Sequence, residues 1–184
     1  TVSRWLLLKD KLPSKTYVWK GQKKSIQYIL EKAKMVLPNS AAEYHALEKL
    51  YGIKKPYAIV PNGVNEKIFS NYDPIPKNEL LVLCAARIEG IKNQLNLIKA
   101  LNNTQFKLLM IGSASPNQKT YYNECKKIAA RNVVFTGKLT QKELSSYYKK
   151  AKVHILPSWF ETCGLSSLEA ASMGCNIVIT DIGY

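Results

Sequence analysis

The pattern that most limits what this chain can fold into is an alternation that begins at residue 57. Short unbroken apolar runs take turns with segments of helical periodicity. The runs fall at residues 57–60, 80–86, 106–111, 132–135, 153–156 and 176–180, and the helical segments at 93–102, 119–130, 140–150 and 166–174. Continuous apolar runs suit strands buried on both faces, whereas half-exposed strands alternate. A strand-helix order repeated this often predicts an α/β fold: an open, doubly wound, Rossmann-like parallel sheet with helices on both sides and right-handed crossovers.

Residues 1–52 lack that alternation. Helices are expected at 2–10, 22–34 and 41–51, with one short strand at Met35-Val36-Leu37. A single strand leaves its edges unpaired, so its partners are expected upstream of this chain. Gly52 and Lys54-Lys55-Pro56 read as a linker. The expected division is therefore a mostly helical remnant of another domain at 1–52 and a ligand-binding domain at 53–184. The opening Thr1-Val2-Ser3-Arg4 carries no initiator Met, which suggests a chain that starts inside a longer protein.

The chain is 184 residues long with a formal charge of +14, from 27 basic and 13 acidic side chains. Such a balance attracts anions without choosing among nucleic acid, lipid and phosphorylated small molecules. No apolar run approaches the roughly 18 residues of a membrane span. The basic stretch from Lys9 to Lys34 is expected to offer peripheral contact with an anionic membrane. Cys84, Cys125, Cys163 and Cys175 form no C-x-x-C pair and, with His45 and His154, no zinc spacing. A reduced cytoplasmic protein, peripheral to the inner face of a membrane, is the expectation. The glycines form neither G-x-G-x-x-G nor G-K-[ST].

Two loops follow predicted strands and carry charge. One runs Ala86-Arg87-Ile88-Glu89-Gly90-Ile91-Lys92-Asn93. Arg87 and Lys92 flank a turn before a helix and are suited to clamping a diphosphate. The other runs from Pro157 to Leu165, with Glu161 at its centre and Gly164 before the next helix. A helix N-terminus attracts anions, and acids beside it can accept hydrogen bonds from sugar hydroxyls. Ligands of doubly wound sheets bind outside the carboxyl ends of strands, so both loops are expected to face one cleft. Gly137-Lys138-Leu139, after a fourth strand, is placed to offer backbone groups to a base. Three segments fit the capping box: Ser40 to Glu43, Thr140 to Glu143 and Ser166 to Glu169. For Glu169, that makes a capping role the competing reading.

Taken in order, Val60-Pro61-Asn62-Gly63-Val64-Asn65, Ala86-Arg87 to Lys92-Asn93, Phe135-Thr136-Gly137, and Pro157-Ser158 with Glu161 to Glu169 resemble the GT-B-fold retaining glycosyltransferases of family 4 (group 1). The E-x7-E pair and the Arg-x4-Lys loop are the most specific elements. The resemblance implies a donor-binding domain, truncated at its C-terminus, that takes a UDP- or GDP-type nucleoside-diphosphate sugar without a cofactor or metal. The hexose would pass to a glycan or lipid-linked acceptor in surface polysaccharide synthesis, with the acceptor held by a domain outside this chain. It implies Arg87, Lys92 and Glu161 as catalytic residues, the first two neutralising diphosphate and Glu161 meeting sugar hydroxyls. Cys163, Gly164 and Leu165 would hold phosphate and sugar through their backbone, and Glu169 the ribose. Two positions depart from the family pattern: Cys163 replaces the usual aromatic, and Ala86 the usual glycine. The competing readings are a non-catalytic nucleotide or nucleic-acid-binding module, with Tyr121, Tyr122, Tyr147 and Tyr148 as stacking groups, and a GT-B epimerase- or phosphorylase-like enzyme. Helical spacing assigns those tyrosines to packing, and no nucleic-acid partner is expected.

Overall fold

The computed structural model describes residues 21–69 and 75–181. The helix expected at 2–10 and residues 9–20 of the basic stretch lie outside them. Two compact units divide between Asn62 and Gly63.

The first unit holds α1 (Gln22–Lys32) and α2 (Ala41–Tyr51). Ser40 caps α2 by accepting a hydrogen bond from the Glu43 amide, and the Glu43 carboxylate accepts one from the Asn39 amide at 2.6 Å. Gly52, at φ 67°, closes the helix in the left-handed conformation. The apolar run at 57–60 was expected to join the main sheet and does not. Tyr57 forms an isolated parallel bridge with Val36. The Val36 amide donates to Pro56 O, the Ala58 amide to Val36 O and the Val60 amide to Pro38 O. The short 35–37 segment thus finds its partner downstream within this chain, correcting the expectation that its pairing lay upstream. Tyr57 also stacks on Tyr44, with ring centroids 3.8 Å apart.

The second unit opens with one helical turn, α3 (Glu66–Phe69). Five strands follow: β1 (Asn78–Ala85), β2 (Lys107–Ile111), β3 (Val133–Gly137), β4 (Ala151–Leu156) and β5 (Asn176–Ile179). Between them come α4 (Gln94–Leu101), α5 (Lys119–Ile128), α6 (Gln141–Lys150) and α7 (Leu165–Ser172). All pairings are parallel, in the order β3-β2-β1-β4-β5. This is the expected Rossmann-like sheet. The chain moves outward from β1 through β2 to β3, then returns to the other side of β1 for β4 and β5. The order reverses at the β1/β4 junction, and sheets of this kind bind ligands at such a reversal, outside the strands' carboxyl ends.

The unbroken apolar character of β1 is explained by its two faces. Leu81, Leu83 and Ala85 join Phe69, Leu109, Ile111, Tyr148, Ala151, Ala170 and Met173 in one core cluster. Val82 and Cys84 join Leu97, Ile98, Leu108, Met110, Cys125 and Val133 in the other. Helices α6 and α7 cover the first face; α4 and α5 cover the second. Tyr148 is fully buried, the Tyr121 hydroxyl accepts from the Leu95 amide, and Tyr122 packs edge-on against Phe135. Tyr147 packs partly buried against the first core cluster, so all four tyrosines weighed as stacking groups pack inside this unit. Burial pushes the Cys84 thiol up to about 12, as expected for a small apolar core residue.

Helix starts follow the expected device at two of three sites. Thr140 and Glu143 form a full reciprocal capping box. Helix α7 does not: its N-cap is Gly164 at φ 59°, with no side-chain cap. Glu169 consequently lies in the second turn rather than the first.

Two predictions follow from this packing. Gly112 has φ 145°, and a Cβ there would meet Ala86 O at 2.0 Å. Replacing Gly112 with Ala should cost about 2–4 kcal/mol, combining a steric clash with strained backbone; denaturant unfolding measures it, and an unchanged midpoint refutes the close approach of these strand ends. The second concerns His154 in β4. It is fully buried, and neither ring nitrogen has a hydrogen-bond partner. Burial lowers its pKa from 6.5 to about 4. The unfolded chain therefore takes up the proton first. The stability contributed by neutral His154 is present above pH 6.5 and is lost as pH falls toward 4, by about 3 kcal/mol. His154→Leu should lose less stability than wild type over that interval. Parallel pH curves for the two proteins would exclude the effect.

Candidate functional site

The cleft is built from the loops that leave β1 and β4, the strands flanking the reversal point. Residues 86–93 continue β1 along the edge of β2. The Ala86 amide donates to Ile111 O, the Ile88 amide to Ser113 O, and Ile88 bridges to Ala114. One 3-10 turn (Gly90–Lys92) follows, and Asn93, at φ 58°, starts α4. Two glutamines brace this loop. Gln94, fully buried, donates from Nε2 to Arg87 O at 2.7 Å. Gln118 accepts from the Gly90 amide at 3.1 Å.

The Arg87 side chain is 72% exposed, with Nη2 3.0 Å from Glu89 Oε1. Lys92 is far more enclosed, at 15%, and its Nζ lies 2.6 Å from Glu161 Oε2. This ion pair joins the β1 and β4 loops. A backbone bond reinforces it: the Trp159 amide donates to Ile91 O at 2.8 Å. The two charged loops thus meet at the same edge of the sheet.

Glu161 is positioned by its own loop. Buried Ser158 donates from its hydroxyl to Glu161 Oε2 at 3.4 Å, and the Thr162 amide donates to Oε1 at 3.2 Å. Thr180, just past β5, fixes the loop by donating to Ser158 O at 2.6 Å. Burial by itself raises the Glu161 carboxyl; the Lys92 ammonium and the Thr162 and Gly164 amides outweigh it and hold the group below the usual carboxylate range. Glu161 is therefore an anion that accepts hydrogen bonds at neutral pH. Glu169 differs: partial burial raises its carboxyl.

Gly164 turns the chain into α7 in the left-handed region, where a side chain would be strained. The Ser167 and Leu168 amides bond to Gly164 O. The Ser167 hydroxyl, in the helix's first turn, is buried without a hydrogen-bond partner. The Tyr148 hydroxyl fixes this end by donating to Ser166 O. Cys163 is half-buried and a free thiol; Leu165 is exposed. Cys163, Gly164 and Leu165 thus run from the Glu161 loop into the start of the helix, where backbone amides and the dipole favour anions.

Gly137, Lys138 and Leu139 lie apart from this cluster, at the end of edge strand β3, with β2 between them and β1. Gly137 O accepts from the Gly112 amide and the Thr136 hydroxyl, so that carbonyl is already engaged. Leu139 packs against the core. Among the described residues, no group of three or more His, Cys, Asp or Glu could hold a metal ion, and no helix is long and apolar enough to cross a membrane.

Sequence reasoning named the charged ends of these loops and missed their braces. Glu89, Gln94, Ser115, Gln118 and Ser158 each hold a loop residue in place. Ser115 and Gln118 act on residues 26 and 28 positions away, a pairing that becomes visible once β1 and β2 are adjacent.

Comparison with known proteins agrees with this architecture. A D-inositol 3-phosphate glycosyltransferase of Acidothermus cellulolyticus is 25% identical over 178 residues, covering 84% of this chain and 40% of its own length. A poly(glycerol-phosphate) alpha-glucosyltransferase of Bacillus subtilis is 24% identical, covering 93% of this chain and 26% of its own. This chain spans about 40% of the length of the first curated relatives it matches. Among solved structures, sucrose-phosphate synthase from Thermosynechococcus elongatus superposes with a TM-score of 0.75 at 23% identity, over 97% of this chain and 48% of that one. Anabaena HepE in complex with UDP and glucose gives 0.74 at 18% identity, over 88% and 49%. These structures share the fold. The model for glycosyl transferases group 1 matches residues 65–184, and the chain belongs to that family of GT-B glycosyltransferases.

Proposed function

We propose that this chain is the donor-binding portion of a retaining glycosyltransferase that transfers a hexose from a UDP- or GDP-type sugar to a glycan or lipid-linked acceptor in surface polysaccharide synthesis. The unit that starts at Gly63 is the donor domain and the unit that ends at Asn62 belongs to the end of the acceptor domain, so the boundary expected near residue 52 moves past the 57–60 run. The observation that carries this reading is the Lys92–Glu161 pair at the reversal point of the sheet. It sets a cation suited to phosphate against an anion suited to sugar hydroxyls, within hydrogen-bond reach of each other. The HepE complex with UDP and glucose supports a nucleotide-sugar donor on this fold.

In this reading Arg87 and Lys92 face the diphosphate. As the bond from the anomeric carbon to the diphosphate breaks, negative charge grows on the leaving oxygens. Two cations and the N-terminus of α7 are already oriented to receive it, so little reorganisation is needed at that moment. Lys92 donates to Glu161; when the donor binds it exchanges part of that contact for phosphate. Glu161 then orients hydroxyls of the donor sugar. Backbone amides of Cys163, Gly164 and Leu165 hold phosphate and sugar, Glu169 meets the ribose, and Gly137, Lys138 and Leu139 lie toward the base. The acceptor hydroxyl needs an opposing wall. Positioning of that kind supplies about 7–11 kcal/mol in well-oriented reactions, and this chain spans less than half of its relatives' length.

Calorimetry tests the reading. The chain should bind UDP or GDP without a metal, more weakly as salt rises, and transfer no sugar on its own. Arg87→Ala should weaken binding by about 1.5–3 kcal/mol, the usual contribution of a hydrogen bond to a charged group. A nucleic-acid-binding module would instead prefer single-stranded DNA over either nucleotide, and an unchanged dissociation constant in the Arg87 variant would reduce that residue to a surface cation.

A further inference from the structure

We infer that Glu89 is a positioning residue for Arg87, holding its guanidinium toward the donor diphosphate. The inference rests on the proposed role of Arg87. Glu89 lies between the two cations of the loop, yet its surroundings differ from those of an exposed acid. Its side chain is 12% exposed, while that of Arg87 is 72% exposed. Its carboxylate is held from the β2 side: Ser115 donates from Oγ to Glu89 Oε2 at 2.9 Å. The other oxygen, Oε1, is buried and accepts no hydrogen bond, and it lies 3.0 Å from Arg87 Nη2 as an ion pair. A buried carboxylate with one oxygen fixed by a neighbouring loop and the other turned to a guanidinium is an anchor for that guanidinium.

The rest of the loop is braced in the same sense. Gln94 holds Arg87 through its carbonyl, and Gln118 holds the Gly90 amide next to Glu89. The backbone of Arg87 is thus fixed by α4, and its long side chain is oriented by Glu89. Guanidinium has five donors in a planar fork, so a contact at Nη2 leaves donors for a phosphate. An arginine that is already oriented loses less side-chain freedom when an anion arrives. Glu89 gives up no contact in this arrangement; it acts through Arg87 and touches no ligand itself.

A double-mutant cycle tests this on the full 184-residue chain, with UDP and GDP titrated in parallel by calorimetry. Glu89→Ala should weaken nucleotide binding about three- to tenfold. The same change made in an Arg87→Ala background should have no further effect, because the group being oriented is gone. Ser115→Ala, a smaller change, should weaken binding in the same direction and to a lesser degree, and it serves as the second variant if Glu89→Ala fails to fold. Equal losses from Glu89→Ala in both backgrounds would make Glu89 a loop staple and overturn the inference. Tighter binding by Glu89→Ala would make it a competitor of the ligand and overturn it equally. If Arg87→Ala itself binds as well as wild type, the proposed role of Arg87 fails first, an outcome distinct from the other two.

Discussion

Parallel pairing of β1 with both β2 and β4 is the constraint on which the rest of this unit depends. It sends every strand's carboxyl end to one edge of the sheet. It also fixes which loops can meet. Because β4 returns beside β1 and not beyond β3, the loop after β1 meets the loop after β4, although Lys92 and Glu161 are 69 residues apart. A register that placed β4 elsewhere would leave both charged groups without their partner. The two-sided burial of β1 is what holds it there, since side chains 81, 83 and 85 are locked on one face and 82 and 84 on the other.

The Lys92–Glu161 pair is not a stability device in the first place. Both side chains are largely withdrawn from water, and the cost of that desolvation offsets much of their attraction. Extra hydrogen bonds from Ser158 and the Thr162 amide reduce the cost on the carboxylate side. What the pair secures is arrangement. A cation with no anion beside it would extend into solvent and need re-ordering when a ligand binds; a cation already drawn into the cleft does not.

Much of this was legible before the structure, because the signals were local. Five of the six apolar runs are strands of the sheet; β1 and β2 are buried from both sides as their lack of alternation implied, whereas the edge strands leave Val134 in β3 and Val178 and Ile179 in β5 exposed. The sixth, at 57–60, has the same composition but pairs with Val36 in the other unit. Nothing in a four-residue run states which partner it will find. The pattern Ser166 to Glu169 failed for a related reason. The box describes a possible cap, but Gly164, with its left-handed backbone, starts α7 two residues earlier. Helix termination is set by backbone conformation as well as by side-chain pattern. The braces of the loop after β1 were the least legible, because Ser115 and Gln118 acquire meaning through the β1–β2 register alone.

The two cations of the cleft show how differently one chain can prepare like charges. Lys92 is a compact charge on a flexible stem, and the fold compensates by enclosing it and pairing it with a carboxylate from another strand. Arg87 is a planar fork that can serve an internal anion and an external one together, and the fold leaves it exposed while pinning its backbone through Gln94. The arrangement would not survive an exchange of the two residue types. A lysine at 87 could satisfy the carboxylate of Glu89 or an arriving anion, but with one ammonium it would divide its charge between them. An arginine at 92 would bring a wider group into a space where a single ammonium lies 2.6 Å from Glu161. The identity of each cation, and not its charge alone, is therefore matched to the depth at which the sheet places it.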